Sequence, residues 1–243
     1  MDPAPLSLGI HGAGGRMGRR LLALIGDDPT LSLGRALTRA DGSRLGPEPL
    51  DAVIDFSTPV AALEIAESCA SANVPLVVGT TGLTADDHRR IGVFSQSIPI
   101  LVSANFSKAV NLLLRLVEQA ATALGDSADI EIVERHHHHK HDAPSGTALR
   151  IAEVAGRAIG SSLFVHGRSG QIGPRTRGEI GIHALRVGDN PGEHTVVFGL
   201  AGESLEISHR ALSRDGFARG ALDAAKFLAG KPPGLYSMDD LLG

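Results

Sequence analysis

The feature that most constrains this chain is a strand that runs into a glycine cluster and out into a helix. Leu6–Ile10 is a short apolar run, Gly12-Ala13-Gly14-Gly15-Arg16-Met17-Gly18 follows, and Arg16–Ile25 is amphipathic. Glycine serves where backbone turns sharply or approaches a ligand. A strict G-x-G-x-x-G pattern needs glycine at position 17, where Met17 stands; the spacing is G-x-x-G-x-x-G through Gly12, Gly15 and Gly18. The physics is shared. A side-chain-free turn lets a pyrophosphate reach the backbone, and the helix start offers free N–H groups and the positive end of its dipole. With a strand before it and a helix after it, the cluster reads as a dinucleotide site rather than a bare tight turn.

The same alternation continues. Leu31–Leu37, Asp51–Phe56, Pro75–Val78 and Ile98–Val102 are predicted strands. Thr58-Pro59 opens a helix with proline at its first position, and Thr84 caps another. Apolar strands alternating with helices predict a parallel sheet covered on both faces. One crossover is odd: only about a dozen residues, including Gly42, Gly46, Pro47 and Pro49, separate the second and third strands, which is near the shortest parallel connection and leaves no room for a helix. From Asn111 the pattern changes to a helix (Asn111–Leu124), a strand (Ile130–Val133) and a helix (Ser145–Ile159). Glu179–Val187, His194–Leu200 and Ser204–His209 then follow as strands without helices between them, predicting an antiparallel sheet in a second, α+β domain. Gly167–Gly178 reads as a mobile loop, Asp215–Leu228 as a helix and Met238–Leu242 as a last turn.

Composition narrows the function. Lys+Arg is 23 against 27 for Asp+Glu, a net charge of −4, so the basic excess of a nucleic-acid binder is missing. Aromatics are 3% with no Trp, which leaves little material for stacking bases. No apolar run reaches the about 18 residues of a membrane span. Met1–Pro5 lacks the basic start and apolar stretch of a signal peptide. Cys69 is the single cysteine, which excludes an internal disulfide and fits a cytoplasmic protein.

About 20 residues beyond the glycines, where an acidic residue would bind the ribose of NAD, the chain reads Leu37-Thr38-Arg39. Thr38 is uncharged and Arg39 can pair with a phosphate, so NADPH is expected over NADH. The run His136-His137-His138-His139-Lys140-His141-Asp142 is followed by Pro144-Ser145-Gly146-Thr147, a helix start capped by Ser145. Lys140 beside free helix N–H groups implies an anionic substrate. His136 and Lys140 lie about 13 Å apart along an extended strand but within about 6 Å in a turn, so joint action needs a coiled segment. A metal site and a solvated loop are the other readings of the histidines.

These residues together resemble dihydrodipicolinate (4-hydroxy-tetrahydrodipicolinate) reductases. The likeness rests on Gly12–Gly18, Asp55-Phe56, Gly79-Thr80-Thr81-Gly82, Ala104-Asn105-Phe106-Ser107, Asp129–Ile132 and the H-H-x-x-K-x-D-A-P-S-G-T-A stretch from His136. It continues through Gly192–Thr195, Leu205–His209 and Ser213-Arg214. The resemblance implies an α/β fold: a Rossmann-type domain over 1–107 and 214–243, and a smaller α+β domain over 108–213 with a mixed or antiparallel sheet that assembles a homotetramer. It implies that Gly12, Ala13, Gly14, Gly15, Arg16 and Met17 hold the cofactor pyrophosphate and that Thr38 and Arg39 meet the adenosine ribose or its phosphate. Gly79, Thr80 and Thr81 with Ser103, Ala104, Asn105 and Phe106 would position the nicotinamide of NADPH or NADH. His137, Lys140, Ser145, Gly146 and Thr147 would hold a cyclic dicarboxylate, and His136 and Lys140 are the family's acid/base pair. Two departures stand out: the short Asp41–Leu50 connection, and Lys108 where a small or apolar residue is expected. The alternatives are another NADP-linked two-domain reductase, such as an amino-acid dehydrogenase, and a cofactor-binding sensor.

Overall fold

The computed structural model describes residues 4–243; the start of Met1–Pro5 therefore lies outside the described residues. The chain divides into two compact units, one taking the chain up to Lys108 and again from Asp215 to Gly243, the other Ala109–Arg214.

The first unit opens β1 (Leu6–His11), α1 (Arg16–Asp27), β2 (Leu31–Leu37), β3 (Ala52–Asp55), α2 (Pro59–Ala72), β4 (Leu76–Val78), α3 (Ala85–Phe94) and β5 (Pro99–Val102). Local chemistry accounts for the boundaries. Pro59 sits at the first position of α2, and Thr84 closes a capping box with Asp87 on α3. β3 and β4 are buried along their whole length, as strands covered on both faces must be. The connection from β2 to β3 contains no helix, as the short spacing predicts.

The second unit holds α4 (Lys108–Leu124, its first residue in the other unit), β6 (Asp129–His136), α5 (Gly146–Ile159), β7 (Phe164–His166), β8 (Ile180–Arg186), β9 (Glu193–Leu200) and β10 (Glu203–Arg210). Its sheet order is β10-β9-β6-β8-β7. Of the three consecutive strands expected to be antiparallel, β9 and β10 pair that way, but β6 lies between β9 and β8, antiparallel to the first and parallel to the second, and β7/β8 is parallel, so the sheet is mixed. The histidine run begins inside β6, three residues beyond the predicted strand end. Ile130, Ile132, Glu134 and His136 alternate onto the buried face, where Ile130 and Ile132 pack with Leu113 and Val117 of α4 and Ile151 of α5. The period of two therefore puts a glutamate and a histidine in line with core residues.

The segment 167–178 is tied down rather than loose. Arg168 donates to both Glu131 oxygens (2.7 and 3.0 Å) and to Glu179 (2.6 Å), and Arg175 bonds Glu131 and the Ile130 carbonyl (3.0 Å).

The chain then returns to the first unit as α6 (Asp215–Leu228), β11 (Gly234–Tyr236) and α7 (Met238–Leu242). β11 completes an all-parallel sheet of order β11-β5-β4-β3-β1-β2. One core joins α1 and α6 to one face of this sheet, and a second joins α2 and α3 to the other. Lys108 is a half-exposed residue paired with Asp223 of α6 at 2.5 Å.

Candidate active site

In the parallel sheet the strand order reverses beside β1: β2 lies on one side and β3 on the other, so the crossovers leave in opposite directions. Ligands of such sheets sit outside the carboxyl ends of the strands at that reversal. A cleft of about 500 Å³ lies there, lined by His11, Gly12, Gly14, Gly15, Thr38, Arg39, Phe56, Ser57, Thr58 and Ala61. Gly12 has φ +79°, and a Cβ on it would fall 2.3 Å from the Phe56 carbonyl oxygen. A Cβ on Gly18 would fall 2.3 Å from the Gly12 oxygen, so α1 packs directly on the turn. Gly15 caps α1 without a side-chain hydrogen bond, and the first turn carries no acidic residue. A helix start left uncapped beside a bare turn fits a pyrophosphate.

Of the predicted cofactor residues, Gly12, Gly14, Gly15, Thr38 and Arg39 line this cleft; Ala13 is buried beneath it, with its N–H on the Leu37 carbonyl. Arg16 and Met17 form the first turn of α1, where Met17 packs on the core. Gly79, Thr80 and Thr81 follow β4, and Ser103, Ala104, Asn105 and Phe106 follow β5, at the same end of the sheet. A Cβ on Gly79 would lie 2.3 Å from the Phe56 ring, which in turn meets Phe106 edge-on at 5.7 Å. One acidic group escaped the sequence reading: Asp41 accepts from the Thr38 N–H (2.9 Å) and hydroxyl (2.6 Å).

The second unit builds a polar centre around a residue the sequence reading passed over. Glu134 is fully buried. It accepts from His136 Nδ1 (2.5 Å), from the Ser145 N–H (3.0 Å) and from both Arg186 guanidinium nitrogens (2.9 Å each). Burial acts to raise its pKa, but the hydrogen bonds from His136, Arg186 and Ser145 outweigh that and push it down to about 2. A carboxylate only accepts, so His136 Nδ1 carries the hydrogen and Nε2 is left facing Gly192, where a Cβ would approach to 2.9 Å. Arg186 also donates to the Asp142 carbonyl (2.6 Å), tying the end of β8 to the turn that carries Lys140. Ser145 Oγ caps α5 through the Ala148 N–H (3.2 Å) and meets His194 Nε2 at 3.1 Å. Burial, with His136 and His209 nearby, pushes the His194 pKa down to about 3.

Beyond His136 the chain turns, as joint action of His136 and Lys140 requires. The Lys140 N–H bonds the His137 carbonyl (3.1 Å), and the His137 and His138 N–H groups bond the carbonyls of Asn190 and Gly188. Lys140 Nζ donates to Asp142 Oδ1 at 2.8 Å. His137 Nδ1 is buried without a hydrogen-bond partner, and burial followed by the Arg214 charge lowers its pKa. Lys140, His137, Ser145, Gly146 and Thr147 thus belong to one turn-and-helix-start segment. Glu134, Arg186 and His194 were missed because each sits in an ordinary strand pattern. Among the described residues, no three His, Cys, Asp or Glu side chains are placed to hold a metal ion.

Comparison with known proteins identifies the family. Residues 6–106 match the sequence family described as dihydrodipicolinate reductase, N-terminus, and residues 109–242 match dihydrodipicolinate reductase, C-terminus. The 4-hydroxy-tetrahydrodipicolinate reductase of Rhodopirellula baltica is 47% identical over 98% of this chain and 96% of its own length. Those of Anaeromyxobacter dehalogenans and Halorhodospira halophila are 44% and 43% identical over 96% and 98% of the chain and 96% and 99% of their own lengths. The fold superposes on the dipicolinate-bound dihydrodipicolinate reductase of Paenisporosarcina sp. with a TM-score of 0.79 at 22% identity, covering 96% of this chain and 97% of that one. A diaminopimelate dehydrogenase from C. glutamicum shares the fold more distantly, with a TM-score of 0.54 at 13% identity over 99% of this chain and 96% of that one. The chain belongs to the dihydrodipicolinate reductase family.

Proposed function

We propose that the chain is an NAD(P)H-dependent 4-hydroxy-tetrahydrodipicolinate reductase that forms tetrahydrodipicolinate in the lysine and diaminopimelate route. The observation that carries this reading is the turn that puts Lys140 ahead of the Ser145-capped helix start, braced by Glu134 and Arg186. The bare turn at Gly12 and the uncapped start of α1 fit the dinucleotide, with Gly12–Met17 holding the pyrophosphate and Gly79–Thr81 with Ser103–Phe106 holding the nicotinamide end.

Loss of the substrate 4-hydroxyl with a proton from the adjacent ring carbon, as water, gives a conjugated N=C–C=C system, to which the bound cofactor would supply a hydride. The protein manages the charge this creates. Gly146 and Thr147 offer backbone N–H groups, and Ser145 and Thr147 their hydroxyls, to a substrate carboxylate, with the His137 ring beside them. Lys140 Nζ stabilises the negative charge that develops on the ring nitrogen and on the ring carbon two bonds from it. Lys140 or His136 then delivers the proton that completes the reduction. Asp142 holds Lys140 between turnovers, and an incoming carboxylate competes for the same ammonium.

Arg39 on the cleft wall supports NADPH over NADH. The reading extends to a cytoplasmic homotetramer, as the family resemblance implies. Among the described residues no helix is long and apolar enough to cross a membrane.

The test is loss of NADPH absorbance when the protein meets fresh substrate made from pyruvate and aspartate semialdehyde by the preceding synthase. Turnover dependent on both supports the reading. Cofactor binding without turnover replaces it with a sensor. A higher kcat/KM with NADH than with NADPH, or an Arg39→Ala variant with an unchanged NADPH-to-NADH ratio, removes Arg39 from the argument.

A further inference from the structure

A chain of polar side chains runs from the floor of the dinucleotide cleft to Thr80 on one side and Ser43 on the other. His11 is the last residue of β1 and stands directly before the glycine turn; its register partner on β3 is Asp55. Both are almost entirely buried, with exposures of 4% and 0%. His11 Nδ1 donates to Asp55 Oδ1 at 2.7 Å. Asp55 Oδ2 accepts from Thr80 Oγ1 at 2.6 Å, and Thr80 Oγ1 accepts from the Ser57 N–H at 2.8 Å. On its other side His11 Nε2 meets Ser43 Oγ at 3.3 Å, and Ser43 donates to Glu64 Oε2 on α2 at 3.0 Å. Ser43 is 7% exposed although the 40–50 segment around it is mostly at the surface.

The chain therefore joins the 79–81 turn after β4 to two loops that border the cleft, the Phe56–Thr58 turn after β3 and the short connection after β2. That connection follows the Thr38 and Arg39 wall and has no helix of its own to hold it. A helix-free loop keeps its place only through the contacts its residues make, and here a buried serine on a buried histidine is one of them, beside the more exposed bonds of Asp41 with Thr38, Glu48 with Arg35 and the Pro49 carbonyl with Ser7. We infer that His11 is a positioning residue of the cofactor site, fixing the adenosine-side wall through Ser43 and the nicotinamide-side turn through Asp55 and Thr80. This rests on reading the cleft as the dinucleotide site.

The two ring nitrogens can be tested apart. Asn can reproduce donation from the Nδ1 position but cannot reach Ser43, so His11→Asn and Ser43→Ala both release the adenosine-side wall alone. Each is expected to weaken binding of ADP, the adenosine-side fragment common to both cofactors, by about tenfold, the scale of one well-placed hydrogen bond. The KM for NADPH rises in parallel, while in Ser43→Ala kcat at saturating NADPH and the KM for the dicarboxylate stay at wild-type values. His11→Phe, which cuts both links, also lowers kcat. Competitive inhibition by ADP, with thermal melting of each variant, gives the readout. Variants that melt earlier yet keep the wild-type ADP inhibition constant reduce His11 to a structural role and overturn the inference. So does a folded His11→Phe enzyme with wild-type NADPH kinetics. A wild-type protein that binds neither NADPH nor ADP overturns the reading of the cleft itself, a different and recognisable failure.

Discussion

Replacing Glu134 by Gln tests the centre on which the proposed chemistry depends. The side chain keeps its shape, but the negative charge between His136 and Arg186 is lost. The magnitude follows from the pKa. Lowering a carboxyl from 4.5 to about 2 on folding is a displacement of ~2.5 units, worth about 3 kcal/mol at neutral pH. An independent route agrees: leaving one partner of a buried ion pair alone costs about 3–5 kcal/mol, and here the Arg186 guanidinium, 19% exposed, is left without its carboxylate. The sign is fixed as well. A carboxyl whose folded pKa is depressed stabilises the protein above the unfolded value, and that stability disappears as pH falls through the folded value. The wild-type advantage over Glu134→Gln should therefore be full above pH 4.5 and gone near pH 2. Urea unfolding of both proteins across that range gives the difference directly, since the other carboxylates cancel. Activity adds a second measure: Gln can still accept from His136, but the loss of its charge releases Arg186 and the Lys140 turn, so kcat falls more than the KM for NADPH rises. A variant within 1 kcal/mol of wild type at pH 7, or a stability difference that does not change with pH, refutes the reasoning.

Three further outcomes follow from the same geometry. His194 is neutral in the fold, its pKa pushed from 6.5 to about 3, so between those values the unfolded chain binds a proton that the folded chain refuses; up to about 5 kcal/mol is lost on acidification, and His194→Gln flattens the unfolding free energy measured against pH across that window. Gly12→Ala places a methyl group 2.3 Å from the Phe56 oxygen in a left-handed backbone position; about 1–2 kcal/mol of backbone strain adds to the clash, and fluorescence titration should show NADPH binding lost while the 109–214 unit keeps its protection from hydrogen exchange. Lys140→Ala lowers kcat by about 10²-fold or more, and comparing its pH–rate profile with that of His136→Ala identifies the proton donor: the variant that keeps near-wild-type kcat is not the acid.

Much of the fold was legible because its signals are local. The glycine turn, Pro59 at the start of α2 and the caps at Thr84 and Ser145 act within a few residues of themselves, so reading them needs no knowledge of the rest of the chain. β7 and β11 were not legible. Each is three residues long, and what makes Gly234–Tyr236 a strand is the exposed edge of β5 beside it. The parallel pairing of β6 with β8, and hence the mixed sheet, is likewise a choice between partners about 50 residues apart.

The site divides in the same way. Lys140, His137 and the Ser145 helix start sit within one segment, and their residue types already state an anion-binding chemistry. Glu134 does not announce itself: it is one acidic residue in a strand, and only packing by α4 and α5 makes its face a buried one. Arg186 comes from 52 residues away and His194 from 49 residues beyond Ser145. The same holds for His11, which reads as the end of a strand until Ser43, Asp55 and Thr80 close around it. Sequence determined which groups can bind and move protons, because that is a property of each residue. Tertiary structure decided which of them are held and which carboxylate stays charged, because burial and long-range hydrogen bonds exist only once distant strands lie side by side.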